Sequence, residues 1–534
     1  MIVSIFNDVI GPVMRGPSSS HCAAALRIGR LARDLMQSDF NQVLVEFDNG
    51  GSLPATHASQ GSDMGLFGGL LGWEADDARL PDSHSALVEA GIDLKIVYGD
   101  YDDQHPNTYR LTLSNATDSH SIIAISTGGG IIEVLSVDGV PLTMFGDYHE
   151  TLVWLAPNTE VDTDSIQAEL NADFVKLNRA NDAAIIQIQT QQAVATEQLS
   201  VVPGIERVAR LTPVLPIGSR RSLTVPFQTC AEMHSGCSPD ATLSQLAIQY
   251  EMDRGGLTEE QVVQKMVHII QILRASVQQG LAGTYYEDRV LGVQSIGFAD
   301  AMKAGTLLDG GVLNKIVLYT TALMEVKSSM GVIVAAPTAG ACAALPATLL
   351  AVGESKNLTD EEIAKGMLAA GIIGVFIATH WSFAAEVGGC QAEGGSAAAM
   401  AAAALVGFQG GTAEQATGAA SMAMQNMLGL ICDPVANRVE VPCLGKNVMA
   451  ASNAISCANM ALAGFNAVIP LDETIAAAKA VAERMPREHR CTALGGLAST
   501  PTSKAIEKRL AGGCGSGGCG CAVPISTPPK ATAK

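Results

Sequence analysis

Three cysteines, Cys390, Cys432 and Cys443, fall within residues 386–447, and each stands beside glycine or proline, in GGCQ, GLICDP and VPCLG. Glycine and proline let the backbone leave a regular helix and come close to something bulky. Thiolates are the usual ligands of iron–sulfur clusters, and three of them leave one iron open. An open iron can act as a Lewis acid on a hydroxyl leaving group. The spacing of the three matches none of the compact Cys-x-x-Cys zinc or ferredoxin signatures. Cysteine is also among the most buried residue types, as a small inert hydrophobe. Taken alone, the three residues support a metal or cluster site and a set of structural thiols alike.

Two further stretches could meet a ligand. Ser18-Ser19-Ser20-His21 precedes AAALRIGRLARDLM, an amphipathic helical pattern, with NQVLVEFDNG reading as a strand after it. Hydroxyls and free N–H groups at a helix start suit a carboxylate or phosphate, and an ordinary N-cap would use the same residues. Thr127-Gly128-Gly129-Gly130 lies between the β-rich runs SIIAIS and IIEVLSV. Three glycines there permit a turn or a close backbone approach to a ligand.

These residues sit in a chain of 534 with room for several domains and an ample core. The balance is acidic, 33 basic against 53 acidic residues, a formal charge of −20, with no basic cluster. Nucleic acid and anionic membrane are therefore poor partners. Twelve cysteines in such a length are too few for a disulfide scaffold. Asp8 interrupts the first apolar run and no basic leader precedes it, so no secretory signal and a reducing cytoplasmic setting are expected. Residues 366–385 carry no Asp, Glu, Lys or Arg and are long enough to span a bilayer. Their Gly/Ala content, with His380 and Ser382, favours a buried core helix.

Along the chain, residues 1–148 read as mixed α/β. Residues 149–218 follow the order βαββαβ, the ferredoxin-like pattern. Residues 219–240 read as a linker, and 241–511 as an all-α domain whose Ala- and Gly-rich faces permit close helix contact. Residues 512–534 form a Gly-, Cys- and Pro-rich tail, expected to be flexible.

AEVGGCQAEGGSAAAMAAAAL, GLICDPVANRVEVPC, ALGGLASTPTSK and MGVIVAAPTAGACAALPA resemble the catalytic α domain of the iron–sulfur-dependent bacterial L-serine dehydratases. GPVMRGPSSSHCAAALRIGRLAR, GLLGWEADDARLPDS, HPNT and STGGGIIEV resemble the β domain of the same family. The resemblance implies fused β and α domains, with a small ACT-like module at 149–218. It implies a 4Fe-4S cluster on Cys390, Cys432 and Cys443 whose free iron binds a small amino-acid substrate. L-Serine would lose its α-proton and β-hydroxyl and yield pyruvate and ammonia. His21 and His57 are the candidate catalytic groups, and Ser18, Ser19, Ser20, Thr127, Gly128 and Gly129 the candidate substrate-binding residues. A homodimer is the expected assembly. The chain has no Ser-x-Lys-x-Arg-Gly-like lysine loop of the kind a pyridoxal enzyme would carry.

The sequence departs from the family pattern in two places. Gln60 stands where relatives place a histidine, and glutamine is no general base near neutral pH. Trp381 and Phe383 replace small residues ahead of Cys390. L-Cysteine or L-threonine as substrate, and a non-catalytic amino-acid-binding relative, remain alternatives. In some relatives a C-terminal cysteine reaches the open iron; here Cys514, Cys519 and Cys521 are the candidates near the end.

Overall fold

The computed structural model describes residues 2–512, except 17, 59, 182, 239, 287 and 288. Cys514, Cys519 and Cys521 lie outside the described residues. The chain is mixed α/β in its first part and mainly helical after residue 240.

Strand β1 is Val13–Arg15, followed by β2 (Gln42–Asp48), β3 (Asp93–Gly99), β4 (Thr108–Ser114), β5 (Ser119–Gly128), β6 (Ile131–Val137) and β7 (Val140–Met144). All but β1 form one sheet in the order β3-β2-β4-β5-β6-β7, where only the β2–β3 pair is parallel. Val43, Val45 and Phe47 alternate inward along β2, the period-2 pattern of a half-buried strand. Helices Cys22–Met36 and Ser62–Leu70 cross closely through Gly29, Gly65 and Gly69. A methyl at any of these would strike the opposite backbone at Leu66, Cys22 or Leu26. That crossing fixes the start of the first helix, and with it His21.

A second sheet uses β8 (His149–Leu155), β9 (Phe174–Ala180), β10 (Ala183–Thr190) and β11 (Ile205–Leu211), all antiparallel, in the order β11-β8-β10-β9. Helix Thr163–Glu169 and the 3-10 turn Thr196–Val201 supply the two helical steps of the expected order. One face of the sheet meets Ile166 and Leu199; the other, through Leu152, Ile185 and Ala209, joins the core of the first sheet.

The helical part announces its helix starts locally. Thr242, Thr258, Thr359 and Thr412 each cap a helix, with Gln or Glu three positions on returning the bond. Helices Asp360–His380 and Ser396–Phe408 are enclosed by the others. Among the described residues, Asp360–His380 alone is long and apolar enough to cross a membrane, and 78% of its apolar window is buried in the fold.

Three features depart from the expected layout. The stretch read as a linker, 219–240, holds helix Cys230–Gly236, whose Cys230 and Met233 are buried in the helical core. The part read as all-α contains β12 (Val332–Val334), which pairs antiparallel with β1. Ile5, Phe6, Val9 and Ile10 belong to the helical core, not to the sheets. Ile5 and Val9 lie against Gly371 and Gly374 of helix Asp360–His380, where a methyl would overlap them. Glu251, fully buried, accepts from the Ile5 amide and the Ser4 hydroxyl. The Gly-rich, uncharged run is thus a groove for residues from the far end of the sequence.

Candidate active site

Each of the three motif cysteines stands where regular structure is interrupted. Cys390 follows Gly389 (φ +67°) and begins the π-helical turn Gln391–Gly395. Cys432 lies on an extended segment whose amide donates to the His489 carbonyl at 2.9 Å. Cys443 opens helix Cys443–Leu462 after Pro442. All three are buried, at 6%, 4% and 8% exposure, so their access is through the site and not from open solvent.

Cys390 and Cys432 form a small cluster with Ala385, against which Leu430 and Cys491 pack. The neighbouring thiols of Cys390 and Cys491, together with burial, hold the Cys432 pKa far above the ordinary thiol value. Burial pushes Cys443 up to about 12, against the pull of Lys327 and Lys446. Such thiols ionise when a cation is added to the site, not before.

Lys446, one turn into the Cys443 helix, supplies positive charge at the centre. Its Nζ donates to Ile431 O and Asp433 Oδ1 at 2.6 Å each and lies 3.7 Å from Cys390 Sγ. Burial opposes the charge, but Cys390 and Asp433 overcome it and the Lys446 pKa is raised. Asp433 Oδ2 in turn accepts from the Leu497 amide at 2.9 Å. Asn447 ties the helix start to the neighbouring loop, donating to Gly340 O at 2.9 Å and accepting from the Ala344 amide at 3.0 Å.

On the other side, Glu393 is partly buried, and burial raises its pKa to about 7 while the Thr338 hydroxyl, donating at 2.7 Å, works against that. Thr338 follows β12, so the β1–β12 pair connects the first part of the chain to this loop. Lys446, Asp433, Glu393 and Cys491 are the groups that motif reading missed. Lys446 and Glu393 were visible inside CLGKN and CQAEGG, and Cys491 stands two residues ahead of the start of a family-like run, ALGGLASTPTSK.

The candidate residues of the first part form a separate group. His21 Nδ1 pairs with Ser18 Oγ at 2.8 Å and Nε2 with Thr56 Oγ1 at 3.0 Å. Burial lowers its pKa to about 4, so the imidazole is neutral at ordinary pH. Ser126 Oγ donates to Ser20 O at 2.7 Å, which brings the 127–129 turn beside the serine run. Ser19 contributes its carbonyl to the Ala24 amide, and Thr127 lies 3.5 Å from Ile131 O. Gly128 (φ +116°) and Gly129 (φ +62°) need the left-handed region and have open space on their side-chain faces. His57 is engaged at both nitrogens, by Asp63 Oδ1 at 2.7 Å and Tyr98 OH at 2.8 Å. Among the described residues, no hydrogen bond joins His21 or His57 to the thiol-bearing segments. Nor do three His, Cys, Asp or Glu side chains among them converge on a point as ligands of a single metal ion would.

The family model for the serine dehydratase alpha chain matches residues 238–498. The chain is 42% identical over 271 residues to a probable L-serine dehydratase alpha chain of Bacillus subtilis, covering 51% of this chain and 90% of that one. It is 40% identical over 268 residues to an L-serine dehydratase alpha chain of Peptoniphilus asaccharolyticus, covering 49% of this chain and 90% of the relative. A probable L-serine dehydratase beta chain of Bacillus subtilis is 33% identical over 219 residues, 39% of this chain and 97% of that one. With relatives of both kinds matched over nearly their whole length, the chain belongs to the L-serine dehydratase family and carries its beta and alpha parts in one polypeptide.

Proposed function

We propose that this protein is a 4Fe-4S-dependent L-serine dehydratase, with Cys390, Cys432 and Cys443 holding the cluster. The observation that carries the reading is the packing of Cys390 and Cys432 together on separate segments, with the partly buried Lys446 beside Cys390 Sγ. Thiols and a cation fit a thiolate-held cluster; they do not fit a hard ion that prefers oxygen. When bound, the cluster would supply Lewis acidity toward the β-hydroxyl, which is otherwise a poor leaving group.

The chain's own residues supply the rest. Removal of the α-proton requires a base, and His21 is held neutral with Nε2 against a hydroxyl. The serine run and the Thr127–Gly128–Gly129 turn offer hydroxyls and open backbone for the substrate carboxylate. His57, occupied at both ring nitrogens, holds the segment that carries Thr56. Glu393 Oε is a proton store near neutral pH, and Lys446 balances negative charge on the thiolates. Loss of water from serine leaves an aminoacrylate, which tautomerises and is hydrolysed to pyruvate and ammonia.

By the same reading residues 149–218 are an ACT-type module, the protein works in the cytoplasm, and it assembles as a homodimer. Trp381 lies against Gly388, two residues before Cys390, so the substrate panel includes L-threonine and L-cysteine. The test is anaerobic reconstitution, followed by iron and acid-labile sulfide counts and pyruvate or 2-oxobutyrate release. About four of each per chain and turnover of L-serine are expected. Turnover by protein that holds no labile sulfide would refute the cluster.

A further inference from the structure

Two lysines reach the thiol segments, and only one of them has a carboxylate partner. We infer that the other, Lys327, is the counter-charge of the loaded site: a positioning residue whose buried ammonium matches the net negative charge that the cluster and its thiolates bring. This rests on the cluster reading just given.

Lys327 lies in the last turn of helix Val312–Ser328 and is fully buried, at 0% exposure. Its Nζ donates to Val439 O at 2.5 Å, and Val439 is four residues ahead of Cys443. Among the described residues no carboxylate stands within ion-pair distance of that ammonium. Its charge nonetheless reaches the site, acting on the Cys443 thiol more strongly than that of Lys446, and on Cys342 and Glu393 as well. Lys446 is differently placed. Asp433 Oδ1 holds its Nζ at 2.6 Å, so that pair adds no net charge, however near Nζ comes to Cys390 Sγ.

An ammonium sealed from water without a counter-ion is costly. The carbonyl end of helix Val312–Ser328 offsets part of that cost. The rest is offset when an anion arrives. The oxidised four-iron core carries two positive charges, and three thiolates bring three negative ones. Loading therefore leaves one negative charge, with Cys443 among its ligands, and one unpaired ammonium cancels it. Net charge around a cluster is among the quantities that set its reduction potential. Removing Lys327 should make the cluster harder to reduce, while removing the Lys446–Asp433 pair as a unit should not.

The test reads potential and loading separately. Wild type, Lys327→Met and the double variant Lys446→Met with Asp433→Asn are reconstituted anaerobically and counted for labile sulfide. Each is then titrated with dithionite and redox mediators, and the reduced cluster is followed by electron paramagnetic resonance. At the wild-type midpoint, Lys327→Met is expected to hold at least tenfold less reduced relative to oxidised cluster, a midpoint lower by about 59 mV for one electron. The double variant should stay within about twofold of wild type. Before loading, Lys327→Met should melt no lower than wild type, because methionine fills similar space without a buried charge. An unchanged midpoint in Lys327→Met, an equal fall in the double variant, or a cluster-free Lys327→Met that melts lower overturns the assignment. Lys327→Met that melts as wild type yet takes up less than half the labile sulfide, while the double variant loads fully, supports the same role at the loading step. Wild type that takes up no labile sulfide overturns this inference together with the cluster reading, and the sulfide count separates that failure from the others.

Discussion

His21 draws its polar partners from positions 18 and 56, whereas the thiol site gathers groups from 390, 432, 443, 446, 491 and 497. The first group is assembled within one sheet-and-helix unit, and its histidine is discharged by burial. The second is assembled across helix starts and turns, and a partly buried lysine keeps charge in it. The contrast separates two jobs: a neutral acceptor belongs where charge is expelled, and a thiolate-held group belongs where negative charge is balanced. It also predicts that the two can be damaged separately.

The largest effect should follow loss of a thiol. Cys390→Ser, Cys432→Ser and Cys443→Ser are each expected to lose the broad visible absorbance and more than a hundredfold in turnover; full iron content in two of the three would undo the assignment. His21→Ala breaks the other side. It should lose roughly a hundredfold in turnover, the upper part of the usual range for a general base, while keeping all its iron. Wild-type turnover in that variant would move the base to another residue, with His57 next in line. Because burial holds His21 near 4, its neutral form persists through pH 5 to 8, so the turnover profile should show no inflection from it near 6.5.

Lys446→Met tests whether the cation matters. It leaves Asp433 buried without its partner, and a loss of about 3 kcal/mol is expected in a denaturant melt of cluster-free protein. Lys446→Met with Asp433→Asn should recover part of that. The smallest effect lies outside both sites. Glu150, buried in the second sheet beneath Gln187 and Gln189, is pushed up to about 8 by burial. Its folded pKa lies above the ordinary 4.5, so its neutral form is favoured in the fold. Stability is fully present below about 4.5 and falls as pH rises toward 8. Glu150→Gln should flatten that slope in melting curves taken at pH 5 and 8.5, with iron content unchanged.

Much of this was legible because the signals are local. The strand–helix–strand–strand–helix–strand order of 149–218 follows from alternating apolar runs, and it is present as β8 to β11 with one helix replaced by a 3-10 turn. The Thr-x-x-Gln/Glu caps mark helix starts in the same way. Cys390, Cys432 and Cys443 could be picked out by their glycine and proline neighbours. Cys491 could not, because what makes it notable is its packing against Cys390 and Cys432 beside the Arg490–Cys432 bridge, and pairing across that distance leaves no period in the sequence. The neutrality of His21 comes from burial, and burial depends on Thr56 and the sheet, which no local pattern reports. The 219–240 stretch lacks strong apolar periodicity, yet Cys230 and Met233 are enough to fasten a short helix into the core.

Residues 5–10 fill a groove of helix Asp360–His380. A ribosome adding 5–20 residues per second needs on the order of 20–70 s to travel from one to the other. Through that interval Ile5, Phe6 and Val9 have no groove to enter, while both sheets can already be complete. The helical core therefore closes around a peptide that was made first and seated late. Its last well-packed state depends on that early segment staying free of other partners. A bulky fusion placed close ahead of Ser4 would trouble the helical half before it troubled the sheet to which it is nearer in sequence.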